Sequence, residues 1–286
     1  DAQESRGLGD VYKRQGRSRG RGGMNYRHSF HAGNFADLVK HALLLWLLDE
    51  RRERGRVEVL DTHAGAGLYD LSGDAARSRE AKAGVQRLMT ADGLPPRMQA
   101  LAEAVRAINA AGETRLYPGS PLLAARALRP GDAYVGHELN PPVLELLEEA
   151  LDAYPEAAAH AGDGYAATGS VRPGALVLID PPFERPDDYL RSAEAAMAAA
   201  RRAAVVAVWT PLKDMETLDG FLRRLSGPVL VAEARLRPLT NPMKMNGCAM
   251  VVLNPPEGTE AAAREICGWV VEALGEPGGK AEVWRL

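Results

Sequence analysis

From Met24 onward, short apolar runs alternate with stretches of helical periodicity. The first pair is a helix predicted over 35–53 and a strand predicted over 57–60, and the same alternation continues to residue 274. The pattern predicts further strands over 133–139, 158–161, 175–179, 205–209, 229–236 and 249–253, and further helices over 121–128, 142–153, 187–202, 213–225 and 259–274. Strands that alternate with helices are typical of a mainly parallel sheet covered on both faces. The predicted fold class is therefore α/β.

Two segments depart from this alternation. Residues 69–117 are polar and rich in helical patterns, which predicts a small helical subdomain inserted into a sheet domain formed by 24–68 and 118–286. Just after the insertion, Ser120 is a natural helix N-cap and Pro121 a natural first helical residue. Residues 1–23 lack apolar periodicity and end in a Gly/Arg run, so we expect a disordered, non-native leader before Met24. The alternative for the leader is an arginine-glycine arm that binds RNA.

Composition narrows the class of protein. The 286 residues are 46% hydrophobic and 26% charged, a globular balance rather than a disordered or fibrous one. The net charge is −3, and because residues 1–23 hold six Lys/Arg against three Asp/Glu, the remainder carries −6. Nucleic-acid binding would therefore need local basic patches. No apolar run approaches membrane-spanning length, and the two cysteines form no C-x-x-C pair, so we expect a cytoplasmic protein without a membrane anchor.

The first chemical motif follows the first strand. It reads Asp61-Thr62-His63-Ala64-Gly65-Ala66-Gly67, at the strand end where doubly wound folds bind ligands. Its glycines, Gly65 among them, allow backbone to approach a ligand closely. The spacing differs from the G-x-G-x-x-G of nicotinamide and flavin sites, and a glycine turn without a ligand is the alternative.

The second motif is sharper. The apolar run 175–179 leads into Asp180-Pro181-Pro182-Phe183. The Asp180 carboxylate and the Pro181 carbonyl can accept the two N–H bonds of an exocyclic amine, drawing its delocalised lone pair toward sp³ geometry. The Phe183 ring can stack on the base, a contact that contributes about 1–3 kcal/mol. A second turn, Asn254-Pro255-Pro256-Glu257, has no residue that could stack, and we interpret it as structural.

Acidic residues at other strand ends suit a nucleoside-bearing cofactor. Glu138 can accept from both ribose hydroxyls, and Asp163, followed by Gly164, can accept from an adenine amino group. Either acid could also be a solvated strand end. The pair His28-x-x-His31 does not supply a metal-ligand set, so we expect no metal.

Together these residues resemble the bacterial 23S ribosomal RNA adenine-N6 methyltransferases of the RlmJ type. These are class I S-adenosylmethionine-dependent enzymes with a Rossmann-like sheet. The resemblance runs from Tyr26 almost to the C-terminus. It rests on 26–34, on Lys40-His41, on 61–67, on Tyr117-Pro118-Gly119-Ser120-Pro121 and on Asp180-Pro181-Pro182. Phe183 stands where the family more often has Tyr, and residues 1–23 have no counterpart.

The resemblance implies that S-adenosylmethionine is the methyl donor and that 23S ribosomal RNA is the partner. It also implies a set of donor contacts, at His41, His63, Ser120, Glu138, Asp163 and Gly164. It implies that Asp180 is the catalytic acceptor and that Tyr26 approaches the RNA. Beside Tyr26, the imidazole of His28 and the guanidinium of Arg27 suit a flipped base and its phosphates. We expect a monomer.

Three alternatives stay open at this stage. A DNA adenine methyltransferase shares D-P-P-[aromatic], although it would normally carry a larger recognition region. A nicotinamide-dependent oxidoreductase could use the glycine turn and Glu138 but would leave 180–183 unexplained. A noncatalytic RNA-binding protein would not bind S-adenosylmethionine.

Overall fold

An eight-stranded mixed sheet forms the centre of the molecule. A computed structural model describes residues 31–72, 79–240 and 245–286. The strands of the sheet lie in the order β10-β8-β9-β7-β6-β1-β4-β5. Their bounds are β1 Glu58–Asp61, β4 Ala133–Glu138, β5 Ala157–Ala161, β6 Leu176–Ile179, β7 Val205–Leu212, β8 Val229–Arg235, β9 Gly247–Leu253 and β10 Lys280–Arg285. A separate hairpin pairs β2 (Leu68–Asp70) with β3 (Leu116–Pro118).

Helices follow most of the strands. The long first helix, α1, starts after Asn34, whose side chain accepts from the amides of Ala36 and Asp37. The helix bounds are α1 Phe35–Glu53, α2 Glu80–Ala83, α3 Val85–Thr90, α4 Pro96–Arg106, α5 Ser120–Ala127, α6 Pro141–Leu151, α7 Gly164–Ala167, α8 Asp188–Ala200, α9 Met215–Leu222 and α10 Thr259–Leu274. A short 3-10 turn spans Thr168–Ser170. The described helices include none that is both long and apolar enough to cross a membrane.

Helices cover both faces of the sheet, as its sequence predicts. Within β6, Leu176 and Leu178 belong to one hydrophobic cluster, which also holds buried apolar residues of α1, α4 and α10. Val177 and Ile179 belong to the cluster on the other face, with buried apolar residues of α8 and α9. Because successive strand residues point to opposite faces, a wholly apolar strand indicates burial on both sides. The α/β class and the Rossmann-like sheet are confirmed.

The strand order indicates which edge of the sheet binds a ligand. Strands β5, β4, β1, β6 and β7 run parallel, and the chain steps outward in opposite directions from β1 and from β6. In such sheets the crevice lies outside the carboxyl ends of the strands, at this reversal. Asp61, Glu138 and Asp180 all lie at those ends.

Strand β9 runs the other way, antiparallel to β7 and β8. It pairs Leu253 with Val206, near the start of β7, so the following Asn254 lies at the opposite edge of the sheet from Asp180. The Asn254 amide donates to the carbonyls of Ala200 and Ala204, both at 2.9 Å. These bonds support the structural interpretation of the second N-P-P turn.

The sequence patterns miss two features. Strand β10 extends the sheet beyond α10, and the β2–β3 hairpin joins the two ends of the stretch predicted as an insertion. That stretch contains α2, α3 and α4, while residues 73–78 lie outside the described residues. The division of the chain into a sheet domain and an inserted subdomain stays a prediction.

Candidate active site

The turn after β1 brings backbone amides to the carboxyl edge of the sheet. Gly65 and Gly67 have φ angles of +67° and +75°, which glycine adopts without strain. The Gly65 amide donates to Glu138 Oε2 at 3.1 Å, and the Asn140 amide donates to Glu138 Oε1 at 2.8 Å. Gly65 and Glu138 line the smaller of two cavities here, of about 240 Å³. The glycine turn and the predicted ribose acceptor therefore lie side by side.

Asp61, the last residue of β1, is fully buried beneath this turn. Its carboxylate accepts from Ser120 Oγ at 2.7 Å, from Tyr134 Oη at 3.2 Å and from the His63 amide at 3.2 Å. Burial raises the pKa of Asp61 to about 6. The prediction of Ser120 as an N-cap is wrong: Gly119 takes that position and α5 starts at Ser120. Gly119 has the extended backbone of an N-cap, and the hydroxyl of Ser120, the first helical residue, donates to Asp61.

His41 projects from α1 into the larger cavity, of about 450 Å³, which Ser120 also lines. Its ring is 2% exposed, and its Nδ1 lies 2.8 Å from Tyr117 Oη. Burial lowers the pKa of His41 to about 3, so the imidazole is neutral at physiological pH. Its Nε2 is buried and has no hydrogen-bond partner among the described residues. Because an unmade buried hydrogen bond is costly, this atom is a candidate ligand contact.

His63 lines both cavities. Its ring packs edge-on against Tyr165 at 4.6 Å between centroids, and its Nδ1 lies 2.8 Å from Thr62 Oγ1. Burial lowers the pKa of His63 to about 4, so this ring is also neutral near pH 7. The predicted donor contacts His41 and His63 thus reach the same crevice from two elements.

Asp163 and Gly164 are placed differently. Neither is among the residues that line the two cavities. Asp163 caps α7 by accepting from the Tyr165 amide at 3.1 Å, and its other oxygen pairs with Arg191. The Arg191 guanidinium lies 4.5 Å from the centre of the Tyr165 ring. Contact between the Asp163 carboxylate and a donor adenine stays a prediction, and it would have to compete with Arg191.

Asp180, directly after β6, lines both cavities and has a cationic partner. Lys40 Nζ lies 2.5 Å from Asp180 Oδ2 and 2.9 Å from Asp37 Oδ1. Burial disfavours the lysine charge, but the two carboxylates outweigh that effect and raise the pKa of Lys40. Asp37, Lys40 and His41 share one face of α1 because they lie three and four residues apart.

Lys40 belongs to the Lys40-His41 motif, but the sequence alone indicates no role for it. Its helical spacing from Asp37 and His41 is the signal that could have singled it out. The distance of 140 positions to Asp180 leaves no such local signal.

The Phe183 ring does not face either cavity. It is 7% exposed and packs against Tyr189 at 4.5 Å and Trp209 at 6.0 Å between ring centroids. Its φ of +50° is unusual for a residue other than glycine. In this arrangement the ring faces are covered, and stacking of a base on Phe183 stays a prediction. Pro181, by contrast, lines the larger cavity.

The predicted RNA contacts Tyr26, Arg27 and His28 lie outside the described residues. The nearest described residue of that segment, His31, lines the larger cavity and pairs with Glu80 of α2 at 2.9 Å. The described residues contain no group of three or more His, Cys, Asp or Glu side chains able to hold a metal ion.

Comparison with known proteins links this geometry to one family. Residues 55–286 match the family model described as "Ribosomal RNA large subunit methyltransferase D, RlmJ". The chain is 32% identical to ribosomal RNA large subunit methyltransferase J of Escherichia coli K12 over 263 residues, 88% of this chain and 94% of that protein. It is also 32% identical to the protein of the same name from Haemophilus influenzae, with the same coverage.

A solved structure has the same fold. The crystal structure of protein LPL1258 from Legionella pneumophila superposes with a TM-score of 0.81 at 25% identity. The superposition covers 89% of this chain and 98% of that one.

Proposed function

The chain belongs to the RlmJ family of large-subunit ribosomal RNA methyltransferases, and on that premise we propose that it methylates N6 of one adenine in 23S ribosomal RNA, with S-adenosylmethionine as the donor. The observation that carries the proposal is the position of Asp180-Pro181-Pro182. Asp180 and Pro182 of this turn line both cavities at the strand end, where a donor and an acceptor could meet.

Residues of both cavities fit the donor. The Glu138 carboxylate can accept from ribose hydroxyls beside the half-buried Gly65. The unpartnered Nε2 of His41 can contact the amino-acid end of the donor, on the Ser120 side of the crevice. S-adenosylmethionine supplies an electrophilic methyl group on its sulfonium, so no covalent enzyme intermediate is required.

Asp180 and Pro181 would act on the acceptor. With Lys40 on Oδ2, the Asp180 carboxylate keeps Oδ1 for one N–H of the adenine amine, and the Pro181 carbonyl can accept the other. These bonds draw the nitrogen lone pair out of the ring and toward the methyl group. As N6 gains the methyl group it must lose one proton, and the Asp180 carboxylate is the adjacent acceptor.

Lys40 would orient this carboxylate. It bridges Asp180 and Asp37 from α1, and the side chains of Lys40 and Asp180 are only 12% and 17% exposed. A charge-assisted hydrogen bond in such a setting fixes geometry as well as charge. Lys40 is therefore proposed as a positioning residue for the acceptor carboxylate.

The names of the relatives favour ribosomal RNA over DNA as the substrate. We propose Tyr26, Arg27 and His28 as RNA contacts. We also propose that the protein acts in the cytoplasm, where ribosomes are assembled, and that it acts as a monomer.

The test is transfer of labelled methyl from S-adenosylmethionine to total RNA and to genomic DNA from a strain that lacks the enzyme. We expect label in 23S ribosomal RNA and none in DNA. Label in DNA alone would favour the DNA adenine methyltransferase, and tight NADH binding without transfer would favour the oxidoreductase.

A further inference from the structure

The larger cavity continues past Asp180 on the side away from the glycine turn. This part is lined by Pro182, Trp209, Pro211, Lys213 and Met245, which we call the acceptor wall. Strand β7, which carries Trp209, lies on the side of β6 opposite to β1 and β4. Apart from Pro182, which also lines the smaller cavity, the acceptor wall is therefore formed by residues that are not proposed to hold the donor.

Trp209 has a fixed place beside Asp180. Strands β6 and β7 pair Ile179 with Val208, so Asp180 and Trp209 are the next residues on neighbouring parallel strands. Trp209 is half-buried against the hydrophobic cluster on the α1 face of the sheet. Lys40, which contacts Asp180, lies on α1 as well. The Trp209 indole and the Asp180 carboxylate both line the larger cavity.

The other aromatic side chains near Asp180 are less suited to hold a base. The Phe183 ring is buried between Tyr189 and Trp209, and Tyr189 packs in turn on Phe221. Tyr69, which lines the cavity too, has its hydroxyl 3.3 Å from the Ala66 amide, over the glycine turn. Trp209 is thus the aromatic side chain that the described cavity lining offers on the acceptor side.

We propose that Trp209 is the surface on which the acceptor adenine stacks, a role that the D-P-P-[aromatic] motif suggests for Phe183. The inference rests on the proposed function and names the residue that positions its substrate. Pro182 and Pro211 add apolar contact beside the indole, and the exposed Lys213 supplies positive charge at the mouth for the adjoining phosphate.

The experiment compares Trp209→Leu and Trp209→Phe with wild type on an RNA fragment that contains the mapped acceptor adenine. Loss of the aromatic face in Trp209→Leu should lower kcat/KM for RNA by about 5- to 150-fold, with a larger effect on kcat than on KM. Trp209→Phe should retain most of the activity. The matched control is Trp269→Phe, since Trp269 is also half-buried but lies on α10 away from both cavities. Titration with S-adenosylmethionine and the melting temperature show that each variant is folded.

A second readout reports on stacking directly. The acceptor adenine is replaced by 2-aminopurine, whose fluorescence rises when the base leaves the RNA stack and is quenched when it stacks on an indole. We expect the complex with Trp209→Leu to be at least about twofold brighter than the wild-type complex, and Phe183→Leu to stay close to wild type.

Two results would overturn the inference. One is a Trp209→Leu protein with wild-type kcat/KM, and the other is brightening with Phe183→Leu but not with Trp209→Leu. If the proposed function itself is wrong, the wild-type protein will transfer no methyl group to RNA, which distinguishes that outcome from both results above.

Discussion

The Asp180 carboxylate, which Lys40 contacts, is the group proposed to hold the acceptor amine. Replacing Asp180 by Asn keeps the size of the side chain but removes the negative charge that holds the amine and accepts its proton. We expect Asp180→Asn to lower methyl transfer by at least about 100-fold, the scale of losing one preorganised electrostatic contact. The dissociation constant for S-adenosylmethionine should stay within a few-fold, because Asp180 acts mainly on the acceptor.

Glu257→Gln is the matched control for Asp180→Asn. Glu257 belongs to the second N-P-P turn, whose Asn254 lies at the far edge of the sheet. Both variants are assayed for transfer and titrated with the donor by calorimetry. Retained turnover in a folded Asp180→Asn protein would show that methyl transfer does not need the carboxylate.

Glu138 provides the corresponding test on the donor side. Its two oxygens accept from the Gly65 and Asn140 amides, so the carboxylate is fixed at the cavity wall. Glu138→Ala should weaken S-adenosylmethionine binding by about 10- to 150-fold, equivalent to about 1.5–3 kcal/mol for a charge-assisted acceptor. Glu138→Gln, which keeps one carbonyl oxygen, should lie between Ala and wild type. An unchanged affinity in Glu138→Ala would show that the ribose does not bind at Glu138.

At the level of elements, strand direction separates the two Pro-Pro turns. Asn254 follows the antiparallel β9 and donates to two backbone carbonyls near the start of β7. Asn254→Ala should therefore lower the free energy of unfolding by about 1–3 kcal/mol, since two carbonyls lose their donor. Methyl transfer per folded molecule should be unchanged. Chemical denaturation and a transfer assay check this, and a stable but inactive Asn254→Ala protein would mean that the catalytic turn is misassigned.

Elements with a strong pattern could be predicted from the sequence, and short ones could not. The α1 helix has the predicted bounds because its apolar period is regular and Asn34 caps it. The hairpin strands β2 and β3 have only three residues each, too few to show an alternation. Strand β10, with its exposed and charged residues, lacks the apolar run by which the inner strands are recognised.

The candidate active site, too, could be predicted from the sequence only in part. The residues at strand ends, such as Glu138 and Asp180, could be inferred because parallel strands bring their carboxyl ends to one edge. The Lys40–Asp180 pair joins residues 140 positions apart, and the burial of Phe183 depends on a positive φ angle and on Trp209. Such contacts arise from tertiary packing, for which a local pattern holds no signal.

For the whole molecule, the buried neutral histidines predict sensitivity to acid. The pKa of His41 is about 3 in the folded protein, against about 6.5 for an ordinary histidine. Between these values the unfolded chain binds a proton that the folded chain does not, so stability is lost as pH falls below about 6.5. His63, with a pKa of about 4, acts in the same direction, whereas the raised pKa of Asp61 opposes them between about pH 4 and 6.

His41→Gln tests this linkage. The loss of unfolding free energy between pH 7 and pH 5 should be smaller in the variant by about 1–2 kcal/mol, since one linked proton is worth about 1.4 kcal/mol per pH unit. Urea denaturation at the two pH values measures the difference. An identical loss in variant and wild type would show that His41 does not take part in acid destabilisation.

The identity of the methylated atom can be measured directly. RNA methylated by the protein is digested to nucleosides, separated and identified by mass spectrometry, and the modified position is mapped by primer extension on 23S ribosomal RNA. We predict that the transferred methyl group appears as N6-methyladenosine at a single adenine. Recovery of the label in cytosine, in a ribose 2′-O-methyl group or at many adenines would contradict it.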